Sequence, residues 1–216
     1  MQLIFGAAGA GMPVDPDGFS VKTVAVFEQA ILDYHINDSL VQEPVNPFAE
    51  RTLEYQLYLK SWIDTVQWHV EDEVRRPGIA ASYGLELKRR IDRLNQERTR
   101  MVEAIDDYFL EQFRCVHVAA GARINSESPA WAVDRLAILL LKIYHMQVEV
   151  TRANAPAGHR ESCRDRLKLL YEQKADLCQS IDELLEDIAL GRKQMKVYRQ
   201  IKMYNDPQLN PVFYQT

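Results

Sequence analysis

Residues 59–78 read LKSWIDTVQWHVEDEVRRPG. Leu59, Trp62, Val66, His69 and Glu73 recur three, four, three and four residues apart, the period that lines one face of an α-helix. Pro77-Gly78 closes the run, because proline cannot continue a helix and glycine readily caps one. An apolar stripe that finishes in an imidazole and a carboxylate describes a helix whose buried face turns polar at one end. Working outward, the same period recurs in both directions, so the fold is expected to be all-α.

Upstream, Ser20 is placed to cap a first helix reaching Ile36, with Val24, Phe27, Ile31 and Tyr34 on one face. Asn37 to Val45 reads as a loop, and Asn46-Pro47 as the start of the second helix. A third helix is expected from Tyr83 to Phe113, a fourth from Ser128-Pro129 to Arg152, and a fifth from His159 to Leu190. Gly191 bends or ends the fifth, and a helical continuation is expected to Tyr204. The architecture is thus a bundle of about five main helices in a single domain over residues 19–204. An N-terminal tail (1–18) precedes it and an extended C-terminal tail (205–216) follows.

The 216 residues are 47% hydrophobic and 26% charged, ordinary values for a chain with a real core. Twenty-six basic residues against 31 acidic ones leave a net charge of −5, which argues against nucleic acid as a partner. The longest apolar run, Leu136 to Leu141, is too short for a membrane span. Cys115, Cys163 and Cys178 are too scattered for a disulfide framework or a Cys-x-x-Cys metal site, and read as buried free thiols. No secretory pattern opens the chain, so a cytoplasmic protein is expected. Gly6, Gly9 and Gly11 have the wrong spacing for a dinucleotide loop, and Pro13 and Pro16 interrupt the helix such a loop needs.

Four seams carry polar interruptions. The fourth helix has Asp134, Ile138, Leu141, His145 and Val148; the third has Arg98 between Leu94 and Met101; the fifth has Lys174 between Leu170 and Leu177. His69 and His145 are 76 residues apart, and so are Arg98 and Lys174. The same offset pairs Trp68 with Tyr144, Glu73 with Glu149, Arg76 with Arg152, Ile105 with Ile181, and Asp106 with Asp182. This register reads as a duplicated helical hairpin, second plus third helix against fourth plus fifth. Packed about a pseudo-two-fold axis, the halves are expected to bring His69, Glu73, Asn95, Arg98, Asp134, His145, Glu149 and Lys174 into one central polar layer.

Several stretches resemble a known family: Trp68-His69-Val70-Glu71-Asp72, Asp92 to Arg98, Asn125-Ser126-Glu127-Ser128-Pro129, Asp134 to Ile138, Leu141 to Met146, and Lys196 to Gln200 followed by Lys202 to Pro207. Together they resemble the bacterial family catalogued as domain of unknown function 4254. The resemblance implies no chemistry; its glycan-assembly gene neighbourhoods imply a sugar-related setting. It marks His69, Glu71, Asp72, Asn95, Arg98, Asp134, Arg135, Lys142 and His145 as recurrent, and leaves out Glu73 and Glu149.

Three functional readings follow. In the first, a polar pocket takes an anionic or sugar-type small molecule without a cofactor. Asn95, Arg98, Asp134, Arg135 and Lys142 bind and balance it, with Lys174 as a further cation. His69 and His145 move protons, and Glu71 and Asp72 orient them. In the second, His69 with Glu73 and His145 with Glu149, each one helical turn apart, hold a metal. In the third, the layer is structural, and the protein is a scaffold or homodimer module. Trp62, Trp68 and Trp131 read as core, and the basic residues from Arg192 to Lys202 as a solvated helix face.

Overall fold

The computed structural model describes residues 18–201 and 206–214. Five long helices make the fold: α1 (Phe19–Asn37), α2 (Leu53–Val74), α3 (Ala81–Gln112), α4 (Pro129–Thr151) and α5 (Ala157–Ala189). A two-residue parallel pairing joins β1 (Arg123–Ile124) to β2 (Lys193–Gln194), and a short α6 spans Pro211–Tyr214. The all-α expectation holds. Hairpins α2/α3 and α4/α5 are the two most extensive packings, and α1 lies against α2, α4 and α5. Among the described residues no helix is long and apolar enough to cross a membrane. The proposed tail over residues 1–17, with its glycine cluster, lies outside the described residues.

The core is built from Phe27, Ile31, Tyr34, Leu57, Tyr58, Ile105, Phe109, Leu136, Leu141 and Leu185, all essentially inaccessible to water. Each such side chain contributes roughly 1.5–3 kcal/mol through apolar burial. Helix α2 buries more than one stripe: Leu57, Tyr58, Lys60, Ser61, Trp62, Asp64, Thr65 and Val66 are all buried, so its middle turns are enclosed on several sides. Trp62 is buried, and Trp68 and Trp131 pack partly buried against the core. Of the thiols only Cys163 is buried; Cys178 is half-buried and Cys115 exposed.

Helix boundaries differ from the sequence reading at two places. Helix α2 starts at Leu53, not at Pro47. The Asn46 carboxamide accepts from the Phe48 N–H at 3.0 Å and donates to the Tyr55 carbonyl at 3.0 Å, which builds a turn. Arg51 is left-handed at φ 71°, and the Thr52 hydroxyl then accepts from the Tyr55 N–H at 3.2 Å as the true cap. At the other end, no helix continues through residues 195–201, and residues 202–205 lie outside those described. Among the basic residues there, Arg192 pairs with Glu186 (3.0 Å) and Asp187 (2.7 Å), and Arg199 with Asp107 of α3. Within the tail expected to be extended, Pro211–Tyr214 is helical.

Two of the 76-residue partners perform the same task. Asp106 of α3 accepts from the Ser128 hydroxyl at 2.8 Å, at the start of α4. Asp182 of α5 accepts from the Ser20 N–H at 2.9 Å and from its hydroxyl at 2.5 Å, at the start of α1. Each carboxylate satisfies helix donors that have no partner within their own helix.

Gly191 explains the end of α5. Its φ of 68° is left-handed, and its N–H donates to the Ile188 carbonyl at 3.0 Å. A Cβ there would meet the His117 carbonyl oxygen at 2.2 Å. Gly191→Ala is therefore expected to cost more than about 1 kcal/mol, since strained φ and backbone overlap act together; thermal unfolding measures it. A second prediction concerns Asp106, whose burial pushes its carboxyl up to about 6 against the partial opposition of the Ser128 hydroxyl. Between the unfolded value and about 6 the folded state holds the extra proton, so this group's contribution falls as pH rises through that window. Relative to Asp106→Asn, the wild type should lose roughly 3 kcal/mol at most between pH 4 and 7, read from urea midpoints.

Candidate functional site

The expected single polar layer divides in two. The first part is a buried ion network. Lys60 is fully buried and bonds Asp64 one turn along α2, and it reaches the Asp134 carboxylate of α4 at 2.7 Å. Arg98 of α3 grips the same carboxylate through two bonds of 2.8 and 2.5 Å, and lies 3.4 Å from Asp64. Two cations thus face two anions across three helices, which is how an interior accommodates charge. Burial works to raise the Asp134 carboxyl, but Lys60 and Arg98 outweigh it and hold it below the usual range. For Asp64 burial wins and its carboxyl moves up, despite the same two cations. Burial opposes the Arg98 charge, yet its bonds to Asp134 and the nearby Asp64 carry its pKa up.

The second part is a cluster of three imidazoles. His35 from the last turn of α1, His69 from α2 and His145 from α4 bring one ring nitrogen each within 4.8 Å of the others. His35 Nε2 and His69 Nε2 are 3.1 Å apart, and His35 Nδ1 is 2.6 Å from the Ile31 carbonyl oxygen. His145 Nε2 is buried without a hydrogen-bond partner. Aromatic rings hold all three: Trp68 stacks on His145 at 4.7 Å, Tyr34 on His69 at 5.0 Å, and Tyr144 lies 4.1 Å from His35. Burial pulls His145 down to about 4, helped by His69 and His35. His69 is lowered for the same first reason, although Asp38 works in the other direction. In both rings burial disfavours the charged imidazolium form.

His69 also borders a cleft of about 500 Å³ lined by Asp38, Leu40, Asp72, Glu73, Arg75, Arg76 and Pro77. Asp38, left-handed at the end of α1, sets its carboxylate 3.7 Å from His69 Nε2. Arg90 of α3 bonds the Leu40 carbonyl and fastens the α1–α2 loop beside the cleft. Arg75 pairs with Glu71 at 2.7 Å, and Arg76 with Glu73 at 3.0 Å.

The remaining site residues read from the sequence are spread out. Asn95 accepts from Gln67 at 3.0 Å. Arg135 is exposed and pairs with Glu127 at 2.5 Å, and Lys142 is exposed on α4. The anion-binding trio Arg98, Arg135 and Lys142 is therefore not assembled: one member is committed to a buried carboxylate and two face solvent. Lys174 pairs with Glu28 at 3.2 Å, away from Arg98's network. Of the two carboxylates in the His-x-x-x-Glu reading, Glu149 pairs at the surface with His159 (2.8 Å) and Arg152 (2.9 Å), while Glu73 lines the cleft with His69. Sequence reasoning missed His35, Lys60 and Asp64. His35 lies one turn beyond Ile31 on the α1 seam, and Lys60 and Asp64 are spaced one turn apart.

The fold and its interior polar groups define an all-α bundle protein with a histidine cluster beside a surface cleft. The chain belongs to the family described as protein of unknown function (DUF4254), whose model matches residues 54–197. His69 and His145 fall inside the matched span and His35 outside it. No curated protein and no solved structure matches the chain.

The ion network predicts a stability phenotype. Lys60→Met leaves Asp64 and Asp134 short of a cation and is expected to cost about 3–5 kcal/mol. Arg98→Ala should also destabilise, with no effect confined to ligand binding. Chemical denaturation of both variants checks this, and a Lys60→Met protein as stable as wild type would contradict it.

Proposed function

We propose that the protein binds a small polar, anionic or sugar-type molecule in the cleft between the α1–α2 loop and the end of α2, in the cytoplasm. The observation that carries the reading is the cleft with His69 on its wall, lined by both acceptors and donors. Asp38, Asp72 and Glu73 accept from hydroxyl groups, and Arg75 and Arg76 donate to hydroxyl, phosphate or carboxylate oxygens. Such a mixture suits a polyhydroxylic molecule carrying a negative group, such as a sugar phosphate, and it accords with the sugar-related setting that the family resemblance implies. His69 contributes a neutral imidazole, able to donate or accept one hydrogen bond. The low basicity of both inward histidines favours binding over general-base chemistry at neutral pH.

The structural reading is favoured for one part of the molecule by its own observation: Lys60, Arg98 and Asp134 are paired with one another inside the bundle. Arg98 and Asp134 are accordingly assigned to the fold.

The binding reading is tested on chelator-treated protein with sugar phosphates and nucleotide sugars, followed by amide chemical shifts. Shifts confined to Asp38–Leu40 and His69–Arg76, weakened about tenfold by Arg76→Ala, are expected for loss of one charge-assisted contact. Absence of shifts across the panel, or shifts elsewhere, would remove the cleft as the binding site.

A further inference from the structure

We propose that His35, His69 and His145 form a mononuclear site for a divalent transition-metal ion. The 2.6 Å contact of His35 Nδ1 with the Ile31 carbonyl requires Nδ1–H, because a carbonyl oxygen only accepts. A neutral His35 ring then carries a bare lone pair on Nε2, and that lone pair faces His69 Nε2 at 3.1 Å. One shared proton can satisfy this pair, but none reaches His145 Nε2, which is buried with no partner. A cation at the centre satisfies all three nitrogens at once.

Geometry agrees. Metal–imidazole bonds of about 2.0–2.1 Å place ligand nitrogens roughly 3.3–3.4 Å apart in a tetrahedral site. The cluster offers 3.1 Å for one pair and no separation above 4.8 Å, so closure needs small side-chain rotations. The Ile31 carbonyl is the kind of outer partner that fixes a ligating imidazole's tautomer and direction. Trp68, Tyr34 and Tyr144 restrict the ring planes, so little side-chain freedom is left to lose on binding. The Asp38 carboxylate beside His69 supplies compensating negative charge.

An all-imidazole set selects zinc, cobalt, iron or nickel over magnesium or calcium, which prefer oxygen. Three protein ligands leave a coordination position open, and His69 and Asp38 both line the cleft. The site does not depend on the cleft reading: of its three ligands only His69 lines the cleft, and the ion binds without any organic molecule.

The test uses the full chain without a histidine tag, stripped by chelator and titrated with Co²⁺. Visible ligand-field absorption reports coordination, and Zn²⁺ competes for the site. One Co²⁺ per chain is expected, displaced by one Zn²⁺. His35→Ala, His69→Ala and His145→Ala should each weaken binding by roughly a hundredfold, and His159→Ala at the surface pair should not. His145→Gln, which keeps bulk, covers the case in which the alanine variant loses helicity by circular dichroism; it too should lose the ion. Failure to bind Co²⁺ or Zn²⁺ stoichiometrically would overturn the proposal. So would unchanged binding in a folded His145 variant, or loss of binding with His159→Ala.

Discussion

The Asp134 carboxylate, held at once by Lys60 of α2 and Arg98 of α3, fixes the relative height of three helices. Apolar side chains alone tolerate small slips between helices, because one leucine can replace another in a groove with modest loss. A buried carboxylate gripped from two sides tolerates none, since a slip of one turn strands three charges away from water. Asp64 completes the set from within α2. The network thus trades some stability, relative to an apolar core, for a single register.

That register is what makes the histidine cluster. Asp134 and His145 lie on the same stripe of α4, eleven residues or three turns apart, about 16 Å along the axis. Fixing Asp134 against α2 and α3 therefore fixes the level at which His145 meets His69. The rings then stand 5.4 Å apart at 65°, with Trp68 flat against His145. On α1, the bond from Asp182 to Ser20 anchors one end, and His35 occupies the last turn at the other. Capping at one end, ring packing at the other, and the Glu28–Lys174 pair between them set α1 against its neighbours.

Legibility in the sequence followed the same division. Helices α1, α3, α4 and α5 were readable to within a residue or two because one face repeats at the helical period over many turns. Helix α2 was readable as a helix, but not as a helix buried on several sides. Lys60 and Asp64 lie off the stripe that Leu59, Trp62 and Val66 mark, and nothing in their spacing shows that they are buried. The start of α2 was misplaced because Asn46-Pro47 has the chemistry of a helix start, while left-handed Arg51 forces a restart at Thr52. His69 and His145 were visible as seam residues that matched at one offset. His35 has no partner at that offset, and only the packing of α1 onto α2 and α4 brings it to them.

That third histidine decides what the cluster can be. Two imidazoles can satisfy each other with a single shared proton, and a pair needs nothing more. Helix α1, outside the two hairpins, adds a ring whose other nitrogen is already committed to Ile31. Each added acceptor without an added proton leaves a lone pair buried, at a cost of about 1–3 kcal/mol if nothing meets it. Packing could have avoided the cost with leucine at position 35 or 145, as it does with Phe27 and Ile31 on α1 and Ile138 and Leu141 on α4. Polar rings kept in place of apolar ones, oriented by a carbonyl and by aromatic stacking, with one of them on the wall of an open cleft, are the arrangement of a site held ready for a cation.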